Sequence, residues 1–259
     1  LIAKLNASAP TVLVVGETAR AQAFSLNGYD RQTNPQLGRR AVFSFTDVSS
    51  CGTSTAESLP CMFRPFGRRG PDTDDLRQYE SLLDVAQRAG LQVTWLDNNS
   101  GCKGVCAGVE SHQLDNDADL ALCSKTGCYD EILVKKLGEL LAAQPRSSLV
   151  VLHQQGSHGP AYFRRYPPEF GQFTPACATD ALLGCSREEI RNAYDNTILY
   201  TDHVLSRLID LLDAQQDRYD SAMLYVSDHG ESLGENGLYL HGMPYRMAPT
   251  EQTHVPMLA

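Results

Sequence analysis

Four short runs of apolar and β-branched residues occur along the chain. They occupy residues 11–15, 91–96, 148–152 and 222–226, and each is followed by a glycine or a polar residue. A continuous apolar run of this length is typical of a strand that is buried on both faces of a parallel sheet. We therefore predict that these four runs form the central strands of the fold.

Helical periodicity appears between the runs. In residues 76–89, Leu76, Tyr79, Leu83 and Ala86 repeat on one face, and Gly90 follows as a suitable C-terminal cap. A second helix is predicted from Ser186, where Ser-Arg-Glu-Glu offers a capping box. Apolar positions then recur at helical spacing; they are Ile190, Tyr194, Ile198, Thr201, Leu205, Leu208 and Leu212.

The alternation of strands and helices predicts an α/β sandwich, in which a mostly parallel central sheet is flanked by helices. Residues 1–10 show no clear period and are interpreted as a linker. No composition break divides residues 11–259, so these residues are expected to form a single domain, long enough to carry a catalytic site. Residues 43–70 and 98–128 are rich in Gly, Ser, Asn, Asp and Cys and are predicted to be long functional or cross-linked loops.

Charge and hydropathy narrow the classes of partner. The formal net charge is -9, which argues against a broad basic surface for nucleic acid or for an anionic bilayer. No apolar run approaches the ~20 residues that a membrane-spanning helix needs, and the N-terminus has no signal-peptide pattern. As given, the chain is expected to behave as a soluble fragment or a cytosolic protein.

The cysteines favour an oxidising compartment instead of the cytosol. Their even number and local spacing suggest disulfides between near neighbours; the expected pairs are Cys51 with Cys61, Cys102 with Cys106, Cys123 with Cys128, and Cys177 with Cys185. Free buried thiols or a cysteine-rich zinc knuckle are the alternatives, although no C-x-x-C occurs. Eight cysteines allow about 105 pairings, so the nearest-neighbour scheme is a hypothesis.

Residues of the metal-ligand type follow several of the predicted strands. Glu17 follows the first strand, Asp228 and His229 follow the last, and His158 and His241 lie in glycine-containing loops. In open α/β sheets, binding sites form beyond the carboxyl ends of the strands. Carboxylate and imidazole groups from separate strand ends are suited to zinc, whose catalytic sites keep one position open.

A hydroxyl-dense segment supplies candidate nucleophiles. Residues 49–57 read SSCGTSTAE, and a hydroxyl bound to zinc can ionise near neutral pH as bound water does. A surface Ser/Thr loop would have the same composition. Spacing alone does not choose among Thr53, Ser54 and Thr55.

Taken together, seven segments closely resemble the lipid A phosphoethanolamine transferases, a family that includes the mobile colistin-resistance enzymes. In chain order they are VVGETAR (14–20), NGYDRQTNPQL (27–37), SSCGTSTAESLPCMF (49–63), DNNSGCKGVC (97–106), GSHGPAYFRRYPPEF (156–170), YDNTILYTD (194–202) and YVSDHGESLGENGLYLHGMPY (225–245). The resemblance implies an alkaline-phosphatase and sulfatase-like fold. It also implies membrane helices, absent from this chain, that hold the domain at the periplasmic face of the bacterial inner membrane.

The matched positions imply a set of roles in the site. A catalytic Zn²⁺ is expected on Glu17, Thr55, Asp228 and His229, with Thr55 as the nucleophile. The other implied roles are phosphate binding, or a second Zn²⁺, at His158 and His241, and phosphoethanolamine binding at Asn99 and Lys103.

The implied reaction has two halves. Thr55 takes phosphoethanolamine from phosphatidylethanolamine, and a phosphate of lipid A then displaces Thr55. The added amine would lower the negative charge of lipid A and weaken the attraction of polymyxins. The alternatives are a phosphoglycerol transferase or another phosphotransferase of the superfamily, and a binding module that has lost catalysis. A sulfatase is disfavoured because no C/S-x-P-x-R maturation motif surrounds Thr53 to Thr55.

Overall fold

A seven-stranded sheet organises the computed structural model, which describes residues 9–69, 79–114, 119–143, 147–218 and 220–259. The strand order is β2-β11-β8-β1-β7-β3-β4. Its strands are β1 (Pro10–Gly16), β2 (Ser44–Phe45), β3 (Gln92–Asp97), β4 (Glu110–Gln113), β7 (Ser148–His153), β8 (Ala222–Ser227) and β11 (Met257–Leu258). Two small hairpins pair β5 (Cys123–Ser124) with β6 (Gly127–Cys128), and β9 (Ser232–Leu233) with β10 (Tyr239–Leu240).

The predicted central strands are confirmed as β1, β3, β7 and β8, which pair in parallel with their neighbours in the order β8-β1-β7-β3. Strand β4 extends the parallel part, whereas β11 pairs antiparallel with both β8 and β2. The fold is therefore the predicted α/β sandwich with a mostly parallel sheet. Strand β1 already begins at Pro10, which the sequence had placed in the linker.

The α-helices are α1 (Thr55–Met62), α2 (Leu82–Arg88), α3 (Glu131–Ala143), α4 (Arg187–Asp213) and α5 (Thr250–Thr253). Short 3-10 turns occupy Ala21–Ala23, Ser25–Asn27, Leu37–Arg39, Gly67–Arg69, Tyr162–Arg164, Pro168–Phe170, Leu182–Gly184 and Glu235–Gly237. Helix α4 confirms the prediction from Ser186, whose hydroxyl accepts a hydrogen bond from the Glu189 backbone N–H at 3.2 Å. All seven apolar positions predicted for its buried face are at most 5% exposed.

Helix α2 starts later than the sequence predicted. Ser81 caps it through a reciprocal capping box with Asp84, so the helix begins at Leu82. Tyr79 therefore precedes the helix and is 45% exposed, whereas Leu83 and Ala86 are buried as predicted. Leu76 lies outside the described residues.

The two predicted long loops contain regular structure that the sequence pattern did not indicate. Residues 43–70 include α1 and β2, and residues 98–128 include β4, β5 and β6. Helix α1 is only eight residues long and contains Pro60, so its apolar residues show no clear helical repeat in the sequence. All four side chains of β4 are exposed, so its sequence, Glu-Ser-His-Gln, has no apolar alternation to reveal it.

Helices cover both faces of the sheet. Val12, Val14 and Val150 pack in the cluster that contains the buried residues of α3 and α4. Val15, Trp95 and Val151 belong to a second cluster, together with Leu59 of α1 and Leu83 of α2. Each fully buried aliphatic side chain of this kind contributes about 1.5–3 kcal/mol of transfer free energy. The carboxyl ends of the central strands are thus presented between two packed layers.

All eight cysteines are in disulfides, and the pairs are those of nearest neighbours: Cys51–Cys61, Cys102–Cys106, Cys123–Cys128 and Cys177–Cys185. The first joins the segment before α1 to the last turn of that helix. Among the residues with described positions, no helix combines the length and the apolar character needed to cross a membrane.

Candidate metal centre

The centre of the site lies where β1 and β8 end. These parallel neighbours are in register through Gly16 and Ser227, so the residues that follow them, Glu17 and Asp228, leave the same edge of the sheet side by side. His229 comes next. All three side chains are fully buried, and one ligand atom from each lies within 4.8 Å of the others.

Thr55 joins this group as the first residue of α1. Its hydroxyl donates to Glu17 Oε2 at 2.9 Å. Ser58 of α1 holds the loop before the helix in place. Its Oγ accepts a hydrogen bond from the Gly52 N–H at 2.8 Å and donates one to the Asp228 carbonyl at 2.5 Å. A Cβ atom on Gly52 would lie 2.6 Å from Glu57 Cβ, so this turn requires glycine.

The three hydroxyls that the sequence could not rank have different surroundings. Thr53 Oγ1 donates to the Met243 carbonyl at 2.6 Å and lies 3.4 Å from Glu57 Oε2, so its partners are outside the group of Glu17, Asp228 and His229. Ser54 occupies the N-cap position of α1 and its side chain makes no capping hydrogen bond. Of these three hydroxyls, that of Thr55 contacts Glu17, at Oε2, while the Thr18 hydroxyl donates to the other oxygen, Oε1. The geometry therefore singles out Thr55 as the nucleophile candidate.

Two buried polar atoms of this cluster, Asp228 Oδ2 and His229 Nε2, make no hydrogen bond of good geometry and have only ion-pair contacts within the cluster. The other ring nitrogen of His229, Nδ1, donates to the Gly230 carbonyl at 2.9 Å. Its Nε2 lies 3.2 Å from Glu17 Oε1 and 3.6 Å from Asp228 Oδ2. Unsatisfied buried polar atoms are rare, and an imidazole held through Nδ1 with Nε2 facing carboxylates is a common metal-ligand arrangement. These residues therefore fit a divalent cation such as zinc.

Without a cation, Glu17, Asp228 and His229 shift one another's pKa values. Burial raises the pKa of Asp228 to about 6, and the neighbouring Glu17 carboxylate adds to that rise. Burial opposes the charged form of His229, but the Asp228 and Glu17 carboxylates raise its pKa to about 10. Burial also opposes ionisation of Glu17, whose pKa the His229 imidazolium nevertheless holds well below its usual range. A proton on His229 thus balances the carboxylates, and a metal ion would replace it.

His158 and His241 form the next layer. The ring centroid of His241 lies 4.3 Å from that of His229 and 5.9 Å from that of His158. His241 Nδ1 donates to Glu231 Oε2 at 2.7 Å, and the buried Glu231 is held in turn by the Tyr162 hydroxyl at 2.5 Å. Burial lowers the pKa of His158, which favours a neutral imidazole able to bind a metal ion or accept a proton.

Asn99 and Lys103 behave differently. Asn99 Nδ2 donates to Glu17 Oε2 at 2.7 Å and to the Gln154 carbonyl at 2.8 Å, so Asn99 is part of the buried group. The exposed Lys103 ammonium folds back onto its own loop, where it donates to the carbonyl and hydroxyl oxygens of Ser100, each at 2.8 Å. The structure therefore places Asn99 beside Glu17, the residue that contacts Thr55, whereas Lys103 contacts its own loop outside the buried group.

The structure also reveals supporting residues that the sequence reasoning missed. Asp97 ends β3 and is 2% exposed, so the strand-end rule that found Glu17 would have found it too. Glu231 follows Asp228-His229-Gly230 directly, and its carboxylate orients His241. Ser58 lies inside α1 and carries no sequence signal, because a buried serine in a short helix resembles a surface one.

A buried hydroxyl beside carboxylates and an imidazole, at the carboxyl edge of a mostly parallel sheet, is the set of groups that a metal-dependent hydrolase or group-transfer enzyme uses. The family model described as Sulfatase matches residues 10–259. Phosphoethanolamine transferase EptA of Salmonella typhimurium is 49% identical over 249 residues, which cover 96% of this chain and 45% of that protein. Phosphatidylethanolamine transferase Mcr-1 of Escherichia coli is 46% identical over 253 residues, which cover 95% of this chain and 47% of that protein.

Among solved structures, the soluble domain of lipooligosaccharide phosphoethanolamine transferase A from Neisseria meningitidis superposes with a TM-score of 0.94 at 47% identity. The match covers 97% of this chain and 76% of that one. The chain therefore belongs to the sulfatase family and, within it, to the phosphoethanolamine transferases, as the sequence resemblance implied. It spans about half the length of the curated relatives it matches.

Proposed function

We propose that this domain transfers phosphoethanolamine from phosphatidylethanolamine to lipid A through a covalent intermediate on Thr55. One zinc ion would be held by Glu17, Thr55, Asp228 and His229. The observation that supports this most directly is the 2.9 Å contact between the Thr55 hydroxyl and Glu17, inside a buried cluster of metal-ligand groups with two unsatisfied atoms.

In the first half-reaction, Thr55 Oγ1 forms a bond to the phosphorus of phosphatidylethanolamine. The bond from phosphorus to the glycerol oxygen breaks, and diacylglycerol leaves with the proton that Thr55 gave up. When bound, zinc would lower the pKa of the Thr55 hydroxyl and neutralise charge on the phosphoryl oxygens. The rigid turn at Gly52 and the hydrogen bond to Glu17 would keep Thr55 aimed at the incoming phosphorus.

In the second half-reaction, a phosphate oxygen of lipid A bonds to the same phosphorus, the bond to Thr55 breaks, and the Thr55 oxygen recovers the proton that the acceptor phosphate gives up. His158 and His241 are placed to hold phosphoryl oxygens, or a second zinc ion when one is present. Asn99 and Lys103 would hold the phosphoethanolamine group, and Lys103 would first have to release its contacts to Ser100. A covalent intermediate lets one site serve two bulky lipids in turn.

We place this domain at the periplasmic face of the inner membrane, attached through a transmembrane part that lies outside this chain. The four disulfides support an oxidising compartment. Transfer to lipid A would add an amine and reduce its negative charge, so cationic polymyxins, including colistin, would be attracted less strongly.

Intact mass spectrometry tests the proposal. Zinc-loaded protein incubated with a short-chain phosphatidylethanolamine should gain the mass of one phosphoethanolamine group, and peptide mapping should locate it on Thr55. Thr55→Ala should abolish the adduct, whereas Ser54→Ala should retain it, because Ser54 makes no capping bond in α1. A glycerol phosphate adduct formed in preference from phosphatidylglycerol would identify a phosphoglycerol transferase and overturn the substrate assignment.

A further inference from the structure

A pocket elsewhere in the structure shares none of its lining residues with the candidate metal centre. It has a volume of about 330 Å³ and is lined by four arginines, Arg20, Arg31, Arg187 and Arg191, with Glu188, Leu233 and Glu235. That volume is at the small end of the range for ligand pockets. Three of its arginines already pair with carboxylates, Arg20 with Glu235, Arg31 with Asp195 and Arg191 with Asp30. We call this site the arginine pocket.

Arg20 forms the buried wall of the arginine pocket. It is 6% exposed, and one terminal nitrogen donates to the Glu235 carboxylate at 2.7 Å and to the Glu231 carbonyl at 3.3 Å. Its Nε is buried without a hydrogen-bond partner. A guanidinium has five N–H donors in a fixed fork, so Arg20 keeps donors that the surrounding protein does not use.

The other three arginines also retain unused donors. Arg31 engages Asn192 and Asp195 through one terminal nitrogen, Nη1. Arg191 uses Nε and Nη2, leaving its second terminal nitrogen, Nη1, without a protein acceptor in the described chain. The exposed side chain of Arg187, the first residue of α4, makes no hydrogen bond or ion pair with any described residue. An oxyanion entering the arginine pocket would therefore meet several free N–H groups.

Four carboxylates lie beside the four arginines, so the charges balance and an anion would depend on the unused N–H donors; they are Glu235, Asp195, Glu188 and Asp30, the last paired with Arg191. Glu235 accepts from Arg20 and from the Leu233 backbone N–H. Asp195, the partner of Arg31, is fully buried, and burial raises its pKa. Glu188 is the exposed lining carboxylate that makes no ion pair with a described residue, so it opposes an anion at the mouth of the pocket.

The arginine pocket is tied to the metal centre through Arg20. This residue follows Glu17 by three positions, and the Glu231 group whose carbonyl it contacts also orients His241. Its Cζ lies 5.5 Å from the ring centroid of Tyr194, whose hydroxyl donates to the Thr18 carbonyl. The two sites are therefore fixed relative to one another by a short chain of buried contacts.

We propose that the arginine pocket binds a phosphomonoester of the acceptor molecule, distinct from the phosphate that is modified at Thr55. The inference rests on the proposed function for its choice of molecule. Guanidinium groups bind phosphate oxygens in pairs through charge-assisted hydrogen bonds, and they do so better than ammonium groups do. The arginine pocket would thus set the orientation of a sugar phosphate acceptor before transfer.

Binding can be measured without turnover. Zinc-loaded protein with ¹⁵N-labelled arginine would be titrated with glucosamine 1-phosphate while the guanidinium resonances of Arg20, Arg31 and Arg191 are followed. Saturable shifts of these resonances are expected. Arg187→Gln should weaken the affinity about tenfold through loss of a charge-assisted hydrogen bond, and Glu188→Gln should strengthen it because a repelling charge is removed.

Arg207→Gln is the matched control, because Arg207 is exposed on the same helix about 30 Å further along its axis. It should leave the affinity unchanged. Equal weakening by Arg187→Gln and Arg207→Gln would indicate general charge attraction and overturn the proposal, as would an absence of shifts at the arginine pocket.

Two further titrations distinguish the source of the phosphate. Inorganic phosphate should bind the arginine pocket more weakly than glucosamine 1-phosphate, and phosphatidylglycerol vesicles should produce no saturable shift. Tighter binding to vesicles would make the arginine pocket a bilayer contact and would sink the acceptor assignment. If the Thr55 adduct fails to form but the arginine shifts remain, the proposed function fails while the anion site stands.

Discussion

Asp97 shows how much one buried carboxylate can organise. Its Oδ2 accepts hydrogen bonds from Trp95 Nε1 at 2.7 Å and from His153 Nδ1 at 2.9 Å. Its Oδ1 accepts from the backbone N–H groups of Asn99, at 2.8 Å, and Gly101, at 3.1 Å. Asp97 therefore ties the end of β3 to the loop that carries Asn99 to Glu17.

Asp97→Asn should destabilise the protein and change its acid sensitivity. Burial alone would raise the pKa of Asp97, but the hydrogen bond from His153 lowers it to about 2. Because this value lies below that of the unfolded chain, the stabilisation is present above about pH 4 and is lost as the pH falls toward 2. At pH 7 the variant should lose about 2 kcal/mol of unfolding free energy.

Urea unfolding of the metal-free protein between pH 7 and pH 2 measures this effect, since loss of zinc then makes no contribution. The exposed control Asp47→Asn should leave the pH profile unchanged. An Asp97→Asn profile parallel to that of the parent protein would contradict the assignment.

At the level of single residues, the sequence located the acidic and imidazole groups because they directly follow apolar strands. Glu17, Asp228 and His229 were identifiable in this way. Thr55 was not separable from Thr53 and Ser54 by pattern alone, because the choice depends on where α1 begins and which hydroxyl it turns toward Glu17. The free donors of Arg20 were also invisible, since they depend on contacts between distant segments.

Helix α4 is the element with the clearest local encoding. It runs for 27 residues, and the Ser186–Glu189 capping box satisfies donors at both ends of its first turn. Its buried face packs on the sheet with Ile190, Ile198 and Leu205. The helix also supplies Arg187 and Arg191 to the arginine pocket, so its start position sets the geometry of that site.

Ser186→Ala should therefore lower the unfolding free energy by about 1 kcal/mol, because the Glu189 N–H loses its acceptor. The urea midpoint at constant zinc concentration measures this loss. Ser111→Ala on the exposed edge strand β4 is the control and should change the midpoint little. If both variants unfold at the same urea concentration as the parent protein, the capping box contributes nothing to stability.

Elements whose apolar residues repeat at a regular spacing were predictable from the sequence. Elements that form only because they pair with other strands were not. The central strands and α4 follow from apolar spacing alone. Strand β11 is two residues long and exists because it pairs with both β8 and β2, which is a tertiary property. Helix α2 was predicted too long at its start because the Ser81 cap overrides the apolar position of Tyr79.

For the whole molecule, the candidate metal centre joins two segments that are far apart in the sequence. Glu17 comes from β1, whereas Asp228 and His229 follow β8, and the fully buried carboxylates repel one another without a cation or proton between them. A ligand that binds only the folded state stabilises it by mass action. Zinc should thus stabilise the entire fold and not the loops alone.

Zinc at a hundredfold excess over its dissociation constant should raise the unfolding free energy by about 2.7 kcal/mol, and removal by chelation should reverse the gain. Differential scanning calorimetry of chelated and zinc-loaded protein measures the shift. Asp228→Asn should lose most of it. Calcium at the same concentration should have little effect, since the His229 nitrogen ligand favours zinc; equal stabilisation by calcium would contradict a zinc centre.

Thr18 and Asp228 are hydrogen bonded although they lie 210 positions apart in the chain. Strand β1 sits between β7 and β8, and its paired residues in those strands follow it by 138 positions (Pro10 to Ser148) and 211 positions (Thr11 to Ala222). A nascent chain therefore carries β1 without its first lateral partner until β7 has emerged and without its second until β8 has emerged, and long-range pairing of this kind is slow. The candidate metal cluster becomes complete only after β8 has paired with β1, because Asp228 and His229 directly follow β8. A chain that ends before β8 would therefore lack two of the four proposed zinc ligands and one neighbour of β1.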